Sequence, residues 1–337
     1  MRVAVVGCGS MGSMHAAVLA SLPEVTDLIV VDPDAERAGA VARQTEGRVM
    51  DLDEALESAD AAVIATPADL HAVAVEAAVA RGIPALCEKP LTDELVTSTR
   101  LVKLVERADA HVEVGFQRRH DPGFVEARRR LSDADAGPLR LLRLTAFDPH
   151  FAPRPPDCRD GTVPLFLHSA VHDFDLVRWL SGAEVEEVTA DASSADAERP
   201  DPQRVENAVV TMRLTGGALA VLEASWLHPV GYDIRAEAMT ERAHLSVGLS
   251  RQTPARQLDW PDAFADPWAG YLQRFAPAYR AELAAFLAAA RGERAPSSTV
   301  RDAHEAHRVA VAASRSYVER RPISMRDVPG LVAAEVA

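Results

Sequence analysis

The sequence predicts an α/β protein: a doubly wound parallel sheet first, then an α+β part built on a largely antiparallel, open sheet. Three observations lead there. A glycine-rich turn, Gly7-Cys8-Gly9-Ser10-Met11-Gly12, stands between an apolar strand-like run and a helical stretch. Short apolar runs then alternate with helical segments as far as Phe116, the pattern of parallel strands joined by helical crossovers. From about residue 122 strands follow one another with tight turns between them, which is the pattern of antiparallel pairing.

The first strand is expected at residues 2–6, an apolar run with three valines. The next six residues spell G-x-G-x-x-G, and a helix over 13–22 closes at Pro23. A second apolar run, 28–31, ends on Asp32. Each part suits a dinucleotide. Gly7 permits the tight strand-to-helix turn, Gly9 lets backbone approach a pyrophosphate, and Gly12 lets helix and strand pack closely. With Ser10 and Met11 they present N–H groups at the positive end of the helix dipole. Asp32, roughly 20 residues beyond the turn, is placed to accept a ribose 2′-hydroxyl. An acid there repels a 2′-phosphate and favours NAD over NADP, although Arg37 is close enough in sequence to accept that phosphate.

Alternation continues with helices at 36–44 and from 51, where acids fill the first turn. A strand at 61–65 stops at Thr66-Pro67, and a helix over 71–80 ends at Gly82. The strand 84–87 runs into Glu88-Lys89-Pro90; Thr92-Asp93-Glu94 caps a helix reaching about 108; 111–116 is a further strand. Ligands of such sheets bind beyond the carboxyl ends of the strands, which here carry Gly7, Asp32, Thr66-Pro67, Glu88-Lys89 and Gln117. In the second part, 139–145 is a strand, 149–164 a Pro-rich loop and 166–180 a helix stopped by Gly182. Strands follow at 184–190, 207–214, 218–226, 233–239 and 243–247, with Gly216-Gly217 as a hairpin turn. Helices over 270–291 and 300–320 finish the chain.

A chain of 337 residues suits two domains, expected at 1–121 for the Rossmann unit and 122–337 for a substrate-binding, oligomerising unit. Its 48% hydrophobic and 26% charged residues are ordinary for a globular enzyme, and the net charge of -14 opposes nucleic acid and anionic membranes. The cluster Arg128-Arg129-Arg130 reads as a solvated helix face. Cys8, Cys87 and Cys158 are odd in number and widely spaced, which suits a reducing cytosol and neither a disulfide framework nor a zinc knuckle. No apolar run approaches the ~20 residues that span a bilayer, and a first strand at Arg2 leaves no room for a signal peptide, so a cytoplasmic location is expected.

Two places can carry chemistry. Lys89 follows a strand's carboxyl end, where it can donate to a substrate oxygen and stabilise negative charge; the plain alternative is a surface lysine. The second is His168-Ser169-Ala170-Val171-His172-Asp173-Phe174-Asp175, where the expected helix puts His168 and His172 one turn apart on one face, with Asp175 three residues further along it. Histidine titrates near neutrality, so His172 can act as a general base. A buried, merely hydrogen-bonded histidine and a zinc site are the rivals; no glutamate or cysteine has recognisable spacing for the latter, and no metal is expected.

These stretches occur in one fixed order. Gly7–Gly12 is followed by His15, Ala65-Thr66-Pro67 by His71, then Glu88-Lys89-Pro90-Leu91, Gly115-Phe116-Gln117-Arg118-Arg119 and His172-Asp173-Phe174-Asp175. That order resembles the glucose-fructose oxidoreductase / inositol dehydrogenase / rhizopine catabolism (Gfo/Idh/MocA) family over nearly the whole chain. Within it the chain is most similar to actinobacterial inositol 2-dehydrogenases, through the stretches 172–179, 231–235 (GYDIR) and 274–280 (RFAPAYR). The resemblance implies an NAD-dependent dehydrogenase that oxidises a secondary hydroxyl of a cyclitol or sugar ring. It puts the catalytic lysine at Lys89 and the catalytic histidine at His172, brings His71, Glu88 and Gln117 to the cofactor, and sets Tyr232 near the substrate. It also implies a homodimer or homotetramer assembled through the C-terminal sheet. Where the inositol dehydrogenases carry an aspartate that touches substrate, this chain has His168; the loop Ala146-Phe147-Asp148-Pro149-His150 departs as well. That aspartate also supports the catalytic histidine, so the resemblance puts His168 with Lys89 and His172 in the catalytic set, and Asp148 and His168 are the expected substrate-choosing residues. An NAD-dependent glycosidase that oxidises its sugar transiently is a second implied reading, and a non-catalytic sugar or nucleotide sensor on the same fold a third. Retention of both Lys89 and His172 speaks against the sensor.

Overall fold

The computed structural model describes residues 1–150, 157–194, 204–248 and 268–331; the middle of the expected Pro-rich loop lies outside them. The chain begins with β1 (Arg2–Val6), α1 (Ser10–Ala20), β2 (Asp27–Val31), α2 (Ala35–Thr45), β3 (Arg48–Val49), α3 (Leu52–Ser58) and β4 (Ala61–Ile64). It continues through α4 (Ala68–Ala80), β5 (Ala85–Cys87), α5 (Leu95–Arg107) and β6 (Val112–Val114). The six strands pair in parallel in the order β3-β2-β1-β4-β5-β6. Strand order therefore reverses beside β1, which opens a ligand crevice beyond the carboxyl ends of β1 and β4. The strands are almost wholly apolar because helices cover both faces of the sheet.

Side-chain caps define the helix starts. Asp34 accepts the Glu36 and Arg37 amides, and Asp51 accepts the Glu54 amide. Helix α1 begins at Ser10, three residues earlier than the apolar periodicity suggests, so the last glycine of the motif belongs to its first turn.

The second half contains α6 (Pro122–Leu131), β7 (Leu139–Pro149), α7 (Val171–Ser181), β8 (Val185–Ser193), β9 (Asn207–Leu214), β10 (Leu219–His228), β11 (Asp233–Thr240) and β12 (His244–Val247). After these come α8 (Tyr271–Arg274), α9 (Ala276–Ala290), α10 (Val300–Glu319) and β13 (Ile323–Ser324). The seven-stranded sheet has the order β12-β11-β7-β10-β9-β8-β13. Its pairs are antiparallel except β7 with β10. Strands β9, β10 and β11 alternate buried and exposed positions, so the sheet buries one face and leaves the other open. The predicted fold class is thus the observed one, including the glycine hairpin between β9 and β10.

Three details differ from the sequence expectation. The single helix expected over 270–291 is interrupted at Phe275: Pro277 has no N–H to continue the ladder from α8, so α9 starts afresh at Ala276. The helix expected over 166–180 opens with a wide π-helical turn, Leu165–Ser169, before α7. His168 lies in that turn and His172 in the first turn of α7, so they do not share one regular helix face as expected. Finally, compactness divides the described chain into residues 1–120 with 277–305, and 121–276 with 306–330, not at a single cut near 121. Packing explains the difference, because Leu283, Phe286 and Leu287 of α9 join Val3, Val5, Val63 and Leu86 in one apolar cluster. Phe286→Ala should therefore lower stability by about 3–5 kcal/mol, the usual cost of emptying a buried phenylalanine site. Urea denaturation should show a lower midpoint with an unchanged slope.

Candidate active site

The first unit arranges its candidate residues around the glycine turn. Gly7 has φ +98, and a Cβ on it would lie 2.7 Å from the Ala65 carbonyl carbon. A Cβ on Gly12 would lie 1.7 Å from the Gly7 carbonyl oxygen. Around Gly9, by contrast, nothing lies within 4 Å of where a Cβ would be. Helix α1 has no side-chain cap and no acid in its first turn, so its opening amides, those of Ser10, Met11 and Gly12, are left for an external anion. A pyrophosphate fits that cradle.

Asp32, at the end of β2, is held from two sides. Its Oδ2 accepts the Cys8 amide at 2.7 Å and its Oδ1 the Asp34 amide at 2.9 Å, which fixes the carboxylate beside the turn. Arg37 lies 3.6 Å from Asp32 Oδ2 and 3.2 Å from Asp34 Oδ2. Its guanidinium is half exposed and shared between two acids, whereas the Asp32 side chain is only 4% exposed. Burial, and then the Asp32 charge, push the Cys8 thiol up to about 11, so it stays a neutral filler of the turn.

Beyond β4, Thr66 and Pro67 lead into α4, where buried His71 spans two loops. Its Nε2 meets the Thr66 carbonyl at 2.8 Å and its Nδ1 the Pro90 carbonyl at 2.9 Å. Burial lowers its pKa against the pull of those carbonyls; both carbonyls are acceptors, so the neutral ring donates to one of them and only lies close to the other. Glu88 faces inward as well. Its Oε1 is 2.7 Å from His15 Nε2, and its Oε2 accepts the Lys89 amide at 3.1 Å. Burial pushes this carboxyl up, but the His15 hydrogen bond and the charges around it outweigh burial and leave the pKa below the ordinary value. A Cβ on Gly115 would come within 3.2 Å of the Glu88 carboxylate, so the glycine after β6 makes room for it. Lys89 follows at the edge of the crevice, only partly buried, and Gln117 is buried at the start of a short turn beyond β6. The motif residues of this unit therefore converge on the carboxyl ends of its strands.

The second unit gathers the other candidates. β7 runs to Pro149, longer than expected, because β10 and β11 both pair with its end. Asp148 Oδ2 there accepts from Ser169 Oγ at 2.9 Å, and Trp226 Nε1 donates to the same Oγ at 2.7 Å. The π-helical turn aims His168 Nε2 at Cys158 Sγ, 3.7 Å away. His172 is 7% exposed in the first turn of α7, beside buried Asp173 and Asp175. Tyr232 is held by its amide on the Trp268 carbonyl at 2.8 Å and by edge-on contact with the Phe275 ring at 6.1 Å. Arg274 lies 4.5 Å above that ring and pairs with Asp121 at 2.7 Å, both side chains nearly buried. Sequence reading singled out Asp148, His168, His172 and Tyr232 but not Ser169, Trp226, Cys158 or the Asp121–Arg274 pair. The Asp121-Pro122 step was a legible helix start; the other contacts join residues far apart in the chain. No group of three or more potential metal ligands occurs among the described residues.

A Rossmann sheet with this turn and this strand-end acid defines a dinucleotide-binding protein. Comparison with known proteins narrows the class. The oxidoreductase family described as having an NAD-binding Rossmann fold matches residues 1–116, and the GFO/IDH/MocA C-terminal domain matches residues 124–246. A myo-inositol dehydrogenase of Streptomyces leeuwenhoekii is 38% identical over 94% of this chain and 97% of its own length. An inositol 2-dehydrogenase of Saccharopolyspora erythraea is 34% identical over 99% and 98%. The crystal structure of a myo-inositol dehydrogenase from Corynebacterium glutamicum superposes with a TM-score of 0.86 at 30% identity, covering 98% of this chain and 99% of that one. The chain belongs to the Gfo/Idh/MocA oxidoreductase family.

Because Asp32 is buried and fixed while Arg37 is divided between two acids, NAD should exceed NADP in kcat/KM by at least about tenfold, or 1.4 kcal/mol. Steady-state kinetics with both cofactors measures this; equal efficiencies would mean that Arg37 dominates.

Proposed function

We propose that this protein is an NAD-dependent cyclitol dehydrogenase that oxidises one secondary ring hydroxyl to a ketone. The observation that carries the reading is similarity over nearly the whole chain to inositol dehydrogenases, 38% and 34% identical in the two relatives named above. NAD, when bound, supplies the hydride acceptor. The Gly7–Gly12 turn and Asp32 bind it, with Arg37, Thr66 and Pro67 lining its approach and His71, Glu88 and Gln117 bracing the loops around it. His172 takes the hydroxyl proton, and the low exposure of its side chain keeps bulk water from competing. Lys89 donates to the same oxygen and stabilises the negative charge that develops there. Asp148 and Tyr232 contact the polyol, and His168 occupies the place that decides which ring and which hydroxyl are accepted.

The same reading has copies associating as a homodimer or homotetramer through the open face of the seven-stranded sheet. That face exposes Val209, Leu219 and Met239 next to the Arg143–Glu237 pair, a mixed surface suited to a second copy of itself.

A panel of inositols, aminocyclitols and pyranoses followed by NADH absorbance tests the activity; no turnover with any ring polyol would overturn it. Lys89→Ala should lower kcat by on the order of 10²-fold, the usual loss for a transition-state donor, with little change in NAD affinity. Near-native turnover of that variant would make Lys89 a bystander. His168→Asp should move the substrate ranking toward myo-inositol; an unchanged ranking would transfer the choice to the loop around Asp148.

A further inference from the structure

Two backbone irregularities of the second unit meet at one hydroxyl. The first is in β10. Ser225 pairs with Phe147 and His228 with Pro149, so Trp226 and Leu227 stand against the single residue Asp148 of β7. An extra residue of this kind bends its strand and re-aims a side chain. The bend is fastened, since the Trp226 amide donates to the Glu206 carbonyl at 2.8 Å and the Leu227 amide to Ser225 Oγ at 3.0 Å. The second irregularity is the π-helical turn Leu165–Ser169, a rare form that recurs at functional sites. Its last two side chains diverge, His168 toward Cys158 and Ser169 toward Asp148 and Trp226.

Chemistry fixes the direction of the hydrogen bonds through Ser169. An indole N–H can only donate, so Ser169 Oγ accepts from Trp226 at 2.7 Å. The serine then has its own proton to give, and Asp148 Oδ2 receives it at 2.9 Å. Bonds arranged head to tail in this way polarise one another. Trp226 is buried while Ser169 and Asp148 are half-buried, so the chain of donors runs outward from the interior and ends on the acid.

We propose that Trp226 and Ser169 are positioning residues for Asp148: the indole N–H, relayed by the Ser169 hydroxyl, pins Oδ2 and so sets the direction in which the carboxylate meets a donor group, hydroxyl or ammonium, on the ring substrate. The inference rests on Asp148 as a substrate contact, part of the function proposed above. Neither Trp226 nor Ser169 touches the substrate; both act through the acid.

The relay has a spectroscopic readout that needs no turnover. The chain has four tryptophans, so isotope-labelled indole N–H signals can be resolved by NMR, and Trp226→Phe identifies the signal of residue 226. Asp148→Asn removes the charge at the end of the relay and should move the Trp226 signal upfield, because a relayed hydrogen bond weakens with its last acceptor. In a Ser169→Ala background the same substitution should leave that signal in place. A shift of equal size with and without Ser169 would overturn the proposal, and so would the lack of any shift in either protein.

Kinetics supply the second readout. With a polyol that is turned over, Ser169→Ala should raise KM about tenfold and change kcat by less than about twofold, the pattern of lost binding to a charged group. Ser169→Thr keeps the hydroxyl and should recover most of that loss. Added to Asp148→Asn, Ser169→Ala should cost nothing further, since both variants break the same interaction. A full tenfold cost in that background would overturn the proposal by showing that Ser169 acts independently of the acid. Failure of the substrate contact has a different signature: a native KM in Asp148→Asn with the indole coupling intact would remove Asp148 from the substrate and leave the relay standing.

Discussion

The close approach of Gly12 to the Gly7 carbonyl is the constraint on which the first unit depends. Only hydrogen fits at the Gly12 α-carbon on that side, so helix α1 can start at Ser10, directly off the end of β1. Its amides then point into the crevice where the strand order reverses. The Cys8 amide, oriented by the same turn, grips Asp32 across to β2. The helix origin, the cradle of free amides and the fixed carboxylate of Asp32 are thus three results of one backbone contact, and substituting Ala for Gly12 would disturb all of them together.

The second unit solves a different problem, which is to hold separate polar side chains on a flat framework. The parallel pairing of β7 with β10 inside an otherwise antiparallel sheet gives β7 two long partners and carries it out to Pro149. Asp148 consequently sits on a paired strand end and not on a free loop. The link from Trp226 through Ser169 to Asp148 then ties β10, the π-helical turn and β7 together by hydrogen bonds at 2.7 and 2.9 Å. Such a network specifies rotamers more strongly than apolar packing does, because each of its members leaves a buried polar atom behind when it moves. The wide turn before α7 releases His168 from the helix register and sets it against Cys158, while His172 remains in the first turn of the helix.

Charge is handled differently in the two units. Arg274 and Asp121 meet nearly buried in the second unit, with the guanidinium over Phe275, so their desolvation is offset by a short ion pair and a ring face. In the first unit burial raises the pKa of both Glu88 and Glu282, but only Glu88 has hydrogen bonds and positive neighbours, which bring its pKa below the ordinary value, while that of Glu282 stays well above it.

The fold class, the parallel run from β1 to β6, the strand-end positions of Asp32 and Lys89 and the hairpin at Gly216-Gly217 were all legible in the sequence. Each is written locally, in a hydrophobic period, a glycine pattern or a cap, and local sterics enforce it. The short strands β3 and β13 were not legible, because two residues carry no period and are strands only through their neighbours. The break at Phe275 could have been read from Pro277, but the π-helical turn around His168 could not, since it arises where the turn is fitted against β7 and β10. The return of α9 to the first unit was equally hidden: its apolar face states that something must cover it without naming Val3, Val63 and Leu86 as the cover. Sequence therefore determined which residues could bind a dinucleotide and do acid–base chemistry. Tertiary structure alone decided which of them face each other, as buried Glu88 and His15 do at 2.7 Å, because burial and mutual distance are properties of packing and have no local code.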